Sequence, residues 1–157
     1  LAPLGRAAVS YYLAAYIITT LAALSVVHMI GGEDDTDLRA YSGLFWRHPV
    51  QAATLSVAML SLAGIPLTAG FIAKFYVIVL GYDAQLWWLL GTLVMGSAIG
   101  IYYYLRVIFS MASAAQVASP AGESQRGWHN PLAILLMLMV LGLGTLPQAF
   151  IDLASQF

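Results

Sequence analysis

The chain has 157 residues, of which 61% are apolar and 8% charged, with a mean hydropathy of +0.85 and a formal net charge of −1. A water-facing surface cannot be built from so few Lys, Arg, Asp and Glu, whereas lipid-facing helices need none, so an integral membrane protein is expected. The near-zero charge excludes a basic field for nucleic acid, and the lack of cysteine excludes disulfides, thiolate nucleophiles and iron–sulfur ligation by this chain.

Charges punctuate the sequence into four apolar stretches, about 7–30, 49–82, 84–111 and 131–153. Each reaches the roughly 20 residues that cross a ~30 Å hydrocarbon core, which predicts an all-α bundle of four transmembrane helices. The chain starts at Leu1 without a signal-peptide layout, so a piece of a longer protein is expected. In the first span, His28 near the end is either a proton relay or an interfacial polar residue. The connector 31–48 carries Glu33, Asp34, Asp35, Asp37, Arg39 and Arg47 and reads as a solvated loop.

The second span, Pro49 to Tyr82, is too long. As a straight helix it would measure ~51 Å and must tilt, protrude or break in a ~30 Å core. A break has a visible cause in Ser61-Leu62-Ala63-Gly64-Ile65-Pro66-Leu67-Thr68-Ala69-Gly70. Pro66 lacks an amide donor and its ring collides with the carbonyl of Leu62, while Gly64 and Gly70 lower the cost of irregular dihedrals. The span is therefore expected to be discontinuous around Gly64–Pro66, with freed carbonyls near Leu62 and Ala63 pointing into protein or a hydrated cavity. Ser61 and Thr68 could help order water there.

Lys74, the sole lysine, follows Pro66 by about two turns. An ammonium in hydrocarbon costs at least ~2.5–3.5 kcal/mol, so it should face the bundle interior or water. Burial disfavours the charged form and carbonyl ends favour it, which suits a group that takes up and releases a proton. The alternative is that Lys74, ~10 Å from the end of the span, snorkels toward the headgroups. Half-helices beside a buried charge recur at transporter ion sites, which favours the functional reading.

Gly81-Tyr82-Asp83 reads as a tight turn, with Asp83 placed to cap the third span and Trp87 and Trp88 at headgroup level. Within that span Gly96-Ser97-Ala98-Ile99-Gly100 permits close helix contact. Tyr102-Tyr103-Tyr104-Leu105-Arg106 reads as an interfacial belt with a snorkelling cation; in the functional version Tyr103 or Arg106 touches a polar channel. The connector 112–130 is polar, and Pro49 and Pro131 suit first helical turns. Arg39, Arg47, Arg106 and Arg126 share one side against Arg6 on the other, which makes connectors 31–48 and 112–130 cytoplasmic. With scattered histidines, no HExxH and no phosphate or dinucleotide loop, the chain offers no ligand set for a metal or haem and no cofactor motif.

The run from Ser61 through Gly-Ile-Pro-Leu-Thr-Ala-Gly-Phe-Ile-Ala-Lys74-Phe-Tyr76, with Gly100-Ile-Tyr-Tyr-Tyr-Leu-Arg106 beyond it, resembles the antiporter-like membrane subunits of respiratory complex I across the whole chain. The resemblance implies that 1–157 is the C-terminal transmembrane part of such a subunit, the last four of fourteen spans. It implies that Lys74 belongs to a chain of protonatable groups carrying protons across a bacterial inner membrane, on the half nearer the periplasmic exit. The family's glutamate–lysine pair and central lysine lie in a preceding repeat that is not in this sequence. NAD, FMN, iron–sulfur clusters and quinone would belong to other subunits. Partners would be the N-terminal part of the same subunit, sibling antiporter-like subunits, other membrane subunits and the lipid bilayer. Two alternatives stand beside this: a subunit of a Mrp-type cation/proton antiporter or membrane-bound hydrogenase, and a purely structural anchor with Lys74 snorkelling.

Overall fold

A computed structural model describes residues 2–30, 41–113 and 129–147, with side chains in 5–30, 41–113 and 131–147. The described residues form helices α1 (Ala2–Ile30), α2 (Leu44–Arg47), α3 (Pro49–Ala63), α4 (Ala69–Asp83), α5 (Trp87–Ala112) and α6 (His129–Thr145), with no strand among them. Glu33, Asp34, Asp35, Asp37, Arg39 and Arg126, with most of both polar connectors and the tail of the expected fourth span, lie outside the described residues.

Three tertiary contacts give the register of α1 against the interrupted second span. Tyr11 meets Tyr76 edge-on at 6.2 Å between ring centroids, Thr19 faces Ser61 at 3.3 Å, and Val26 shares a buried cluster with Leu44 and Leu55. Ascending α1 therefore means descending α4 and then α3, so the two halves follow each other antiparallel to one neighbour. Contacts of Thr54 with Ala133 and of Gly144 with Leu67–Ala69 make α6 run parallel to α3. Small residues line these seams, with Ala22, Ala23, Ala52 and Ala58 in one buried cluster and Ala15, Ala69 and Ala73 in another. Where lipid removes the hydrophobic drive between helices, such residues allow the close backbone approach that holds them together.

Two helices, Gly5–Ile30 and Trp87–Ala112, are long and apolar enough to cross a bilayer unaided; Pro49–Ala63 and Pro131–Thr145 are apolar but shorter. The expected 49–82 helix is interrupted between Ala63 and Ala69.

The turn after α4 differs from expectation. Gln85 takes a left-handed φ of 56°, Leu86 N donates to Gly81 O at 2.9 Å and Gln85 N to Tyr82 O at 3.0 Å. This pattern terminates α4 and consumes the connecting residues. Asp83 consequently stays on the last turn of α4, and Leu86 precedes α5 without a side-chain cap, which corrects the capping role expected of Asp83.

Near the end of α6, Pro147 denies the Leu143 carbonyl its helical donor. The fully buried Tyr11 replaces it, donating to Leu143 O at 2.6 Å. Tyr11→Phe keeps the ring but strands that carbonyl, and should lower the stability of the detergent-solubilised protein by about 1 kcal/mol in thermal or denaturant unfolding.

Candidate functional site

The interruption is a chain of local consequences of Gly64 and Pro66. Gly64 adopts φ 81°, ψ 40°, a left-handed geometry that costs glycine nothing. Its N–H donates to Ser61 O at 3.0 Å and Ile65 N–H to Leu60 O at 3.0 Å, the paired bonds of a Schellman ending. Those bonds serve the carbonyls of Leu60 and Ser61. The carbonyl of Leu62 would pair with residue 66, which is proline and has no N–H to give.

Lys74 supplies the missing donors. Its Nζ donates to Leu62 O at 3.0 Å and to Ala63 O at 3.2 Å. The side chain folds back over Gly64, where a Cβ would stand 3.0 Å from Lys74 Cδ and 3.2 Å from Nζ. The ammonium thus sits on the negative end of the α3 dipole, where a cation is favoured. It points away from Asp83 and the outer end of α4, opposite to the direction snorkelling requires.

The same exchange runs in reverse. Thr68 precedes α4, but its hydroxyl donates to Ile65 O at 2.7 Å and leaves the first turn of α4 uncapped by its own side chain. Gly70 N–H instead donates to Ser61 Oγ at 3.0 Å, so α3 caps α4 as α4 caps α3. The approach is possible because residue 70 has no side chain: a Cβ there would overlap the Ser61 carbonyl. Gly144 of α6 buttresses the junction from behind, where a Cβ would lie 2.5 Å from Leu67 O.

A cavity of about 290 Å³ opens beside Lys74, between α1, the junction and α5. Tyr12, Tyr16 and the nearly fully buried Thr19 and Ser61 border it on one side, and Thr92, Ser97 and Tyr104 of α5 on another. Gly96 and Gly100 thin the α5 wall. This small-residue run, expected to permit close helix contact, has open space at Gly96, while Gly100 is covered by the Tyr104 ring.

Of the residues singled out from the sequence, Ser61, Gly64, Gly70 and Lys74 converge on the junction, with Pro66 at its exposed edge. Thr68 is buried in the turn and does not line the cavity. Tyr103, Arg106 and His28 are exposed and lie away from it. Of the Tyr102–Tyr104 run it is Tyr104 that reaches the cavity, Tyr12 and Tyr16 of α1 border it as well, and none of these three nor Thr19 was singled out. The missed signal was positional: Leu93, Gly96, Ser97, Gly100 and Tyr104 recur at helical spacing and form one face. Among the described residues, no three His, Asp or Glu side chains gather as a metal site would require.

A family model described as "NADH:quinone oxidoreductase/Mrp antiporter, TM" matches residues 3–100. NADH-quinone oxidoreductase subunit N of Ectopseudomonas mendocina (strain ymp) is 46% identical over 154 residues, covering 93% of this chain and 31% of the relative. Among solved structures, respiratory complex I from Thermus thermophilus with bound aureothin contains a chain similar at a TM-score of 0.78 and 29% identity, covering 94% of this chain and 34% of that one. The chain spans about a third of the length of both relatives.

Proposed function

Because the chain belongs to the NADH:quinone oxidoreductase/Mrp antiporter transmembrane family, we propose that it is the C-terminal part of a proton-translocating, antiporter-like membrane subunit of NADH:quinone oxidoreductase, with Lys74 as the group that gains and loses the proton. The observation that carries this is the Lys74 ammonium held on the Leu62 and Ala63 carbonyls at the edge of a cavity that Ser97 and Tyr104 also border. A cation at membrane depth is costly even when partnered, which makes an intramembrane lysine a functional-site candidate. The 46% identity to a subunit N favours complex I over a Mrp-type antiporter or a hydrogenase.

In this reading the bilayer is crossed four times, by α1, by α3 and α4 in series, by α5 and by α6. Helices α3 and α4 have 15 residues each, ~22 Å apiece, so neither half alone spans a ~30 Å core and the junction falls within it. The arginine distribution favours a cytoplasmic side for both polar connectors and a periplasmic side for the α4–α5 turn of a bacterial inner-membrane protein. NAD, FMN, iron–sulfur clusters and quinone are carried by other subunits. The cavity opens to one side of these helices, and the Lys74 amine with the freed carbonyls beside it is costly to expose to lipid, so in this reading further helices of the full-length subunit cover it. The direct test is proton uptake into inverted membrane vesicles whose assembled complex carries Lys74→Met; uptake at the parental rate would overturn the reading.

A further inference from the structure

Tyr104 of α5 borders the cavity together with Tyr12 and Tyr16 of α1, whose rings stack on each other, and it is the one that stands on the α5 wall across from Ser61. It borders the same space as Lys74, Ser61 and Thr19, and it is half-buried, whereas Tyr102 and Tyr103 on the same helix are 64% and 58% exposed. Its ring folds back over Gly100, where an added Cβ would stand 3.2 Å from Tyr104 Cε2. Helical side chains lean toward the N-terminus, so a glycine at position 100 leaves the lane in which that ring lies.

The axial levels agree. Tyr104 lies 17 residues into α5, ~25 Å from Trp87, with its ring directed back toward that end. Lys74 lies nine residues before Asp83, ~13 Å from the corresponding end of α4, and its side chain reaches further inward to Leu62. Ring and amine therefore approach one depth from opposite walls.

Among the described residues the Tyr104 hydroxyl has no protein hydrogen-bond partner, and its oxygen is not sealed by protein. A phenol at membrane depth needs one, because a desolvated and unpaired hydroxyl is expensive. Water in the cavity can supply it.

We infer that Tyr104 is a proton-relay residue facing Lys74, its hydroxyl handing protons between cavity water and the lysine. The inference rests on the reading of Lys74 as proton carrier. In the step, Lys74 gives its proton to a bridging water, that water passes one of its own protons to the Tyr104 oxygen, and the phenol O–H proton leaves to the next water. Lys74 ends neutral, while Tyr104 and the bridging water end with the proton count they began with. No net charge rests on the phenol, which is why an ordinary tyrosine suffices.

The test uses vesicles containing the assembled complex with full-length subunits carrying Tyr104→Phe, Tyr102→Phe or Lys74→Met, each measured for complex assembly, proton uptake and the solvent deuterium isotope effect on uptake. Phe keeps the ring over Gly100, so a packing role for Tyr104 would leave both the rate and the isotope effect at parental values. The expected result for Tyr104→Phe is normal assembly, uptake slowed about three- to tenfold and a changed isotope effect, with Tyr102→Phe at the parental rate. Parental uptake in Tyr104→Phe with loss in Lys74→Met overturns the Tyr104 inference alone. Parental uptake in both overturns it together with the reading of Lys74.

Discussion

Proton uptake should fall at least about tenfold when Lys74 is replaced by either methionine or arginine, while only the methionine variant should also weaken the fold. The two substitutions separate what one amine does twice. Lys74→Met removes the donor that serves Leu62 O and Ala63 O at 3.0 and 3.2 Å. Because residue 66 is proline, no backbone N–H in that helix can take over the Leu62 carbonyl. The cost is that of a buried acceptor left unmade, roughly 1–3 kcal/mol, and should appear as a lower unfolding midpoint or reduced complex assembly. Lys74→Arg retains positive charge and multiple donors at the α3 terminus, but a guanidinium does not release its proton at any working pH. Assembly near normal with uptake lost in Lys74→Arg would show that exchange of the proton, and not merely the cap, is what transport needs. Uptake near parental in the arginine variant would assign Lys74 a structural role.

Gly70→Ala should be the most disruptive single methyl addition in the described region. The new Cβ would overlap the backbone carbonyl of Ser61, which cannot rotate away as a flexible side chain would. The start of α4 and the end of α3 must then separate, and both reciprocal caps go with them: Gly70 N to Ser61 Oγ and Lys74 Nζ to the α3 carbonyls. Overpacking of this kind costs about 1–3 kcal/mol before the lost hydrogen bonds are counted. Reduced thermal stability of the solubilised complex, together with slowed uptake, is the expected outcome. Gly91→Ala is the matched control, since an added Cβ there meets nothing within 4 Å and alanine is the better helix former. Equal behaviour of the two alanine variants would mean that the junction is looser than these distances imply.

Pro66 and Gly64 act through covalent geometry, and for that reason the interruption was legible in the sequence; Gly70, expected to ease irregular dihedrals, is helical in α4 and instead allows the close approach to Ser61. A missing N–H orphans the carbonyl four residues earlier whatever the surroundings are, and the freed carbonyls fall at Leu62 and Ala63 as expected. Asp83 shows the opposite case. Its capping role was inferred from residue type, but α4 runs on through Asp83 and the turn at the left-handed Gln85 follows it, which leaves Asp83 on the wrong side of the turn.

Composition and local residue order therefore determined the solvent class, the helical character of the described segments and the place where the long span must fail, because each follows from the chemistry of single residues or short windows. The tertiary arrangement decided which groups answer those local demands. The donor to Leu62 comes from 12 positions away and the donor to Leu143 from 132, and nothing within a helical turn specifies either. It also decided that Tyr104, and neither Tyr103 nor Arg106, meets the cavity. In helices apolar on nearly every side, hydrophobic patterning does not select an inward face; the small residues that let backbones approach do, and only the assembled neighbours reveal which of them are filled and which border open space.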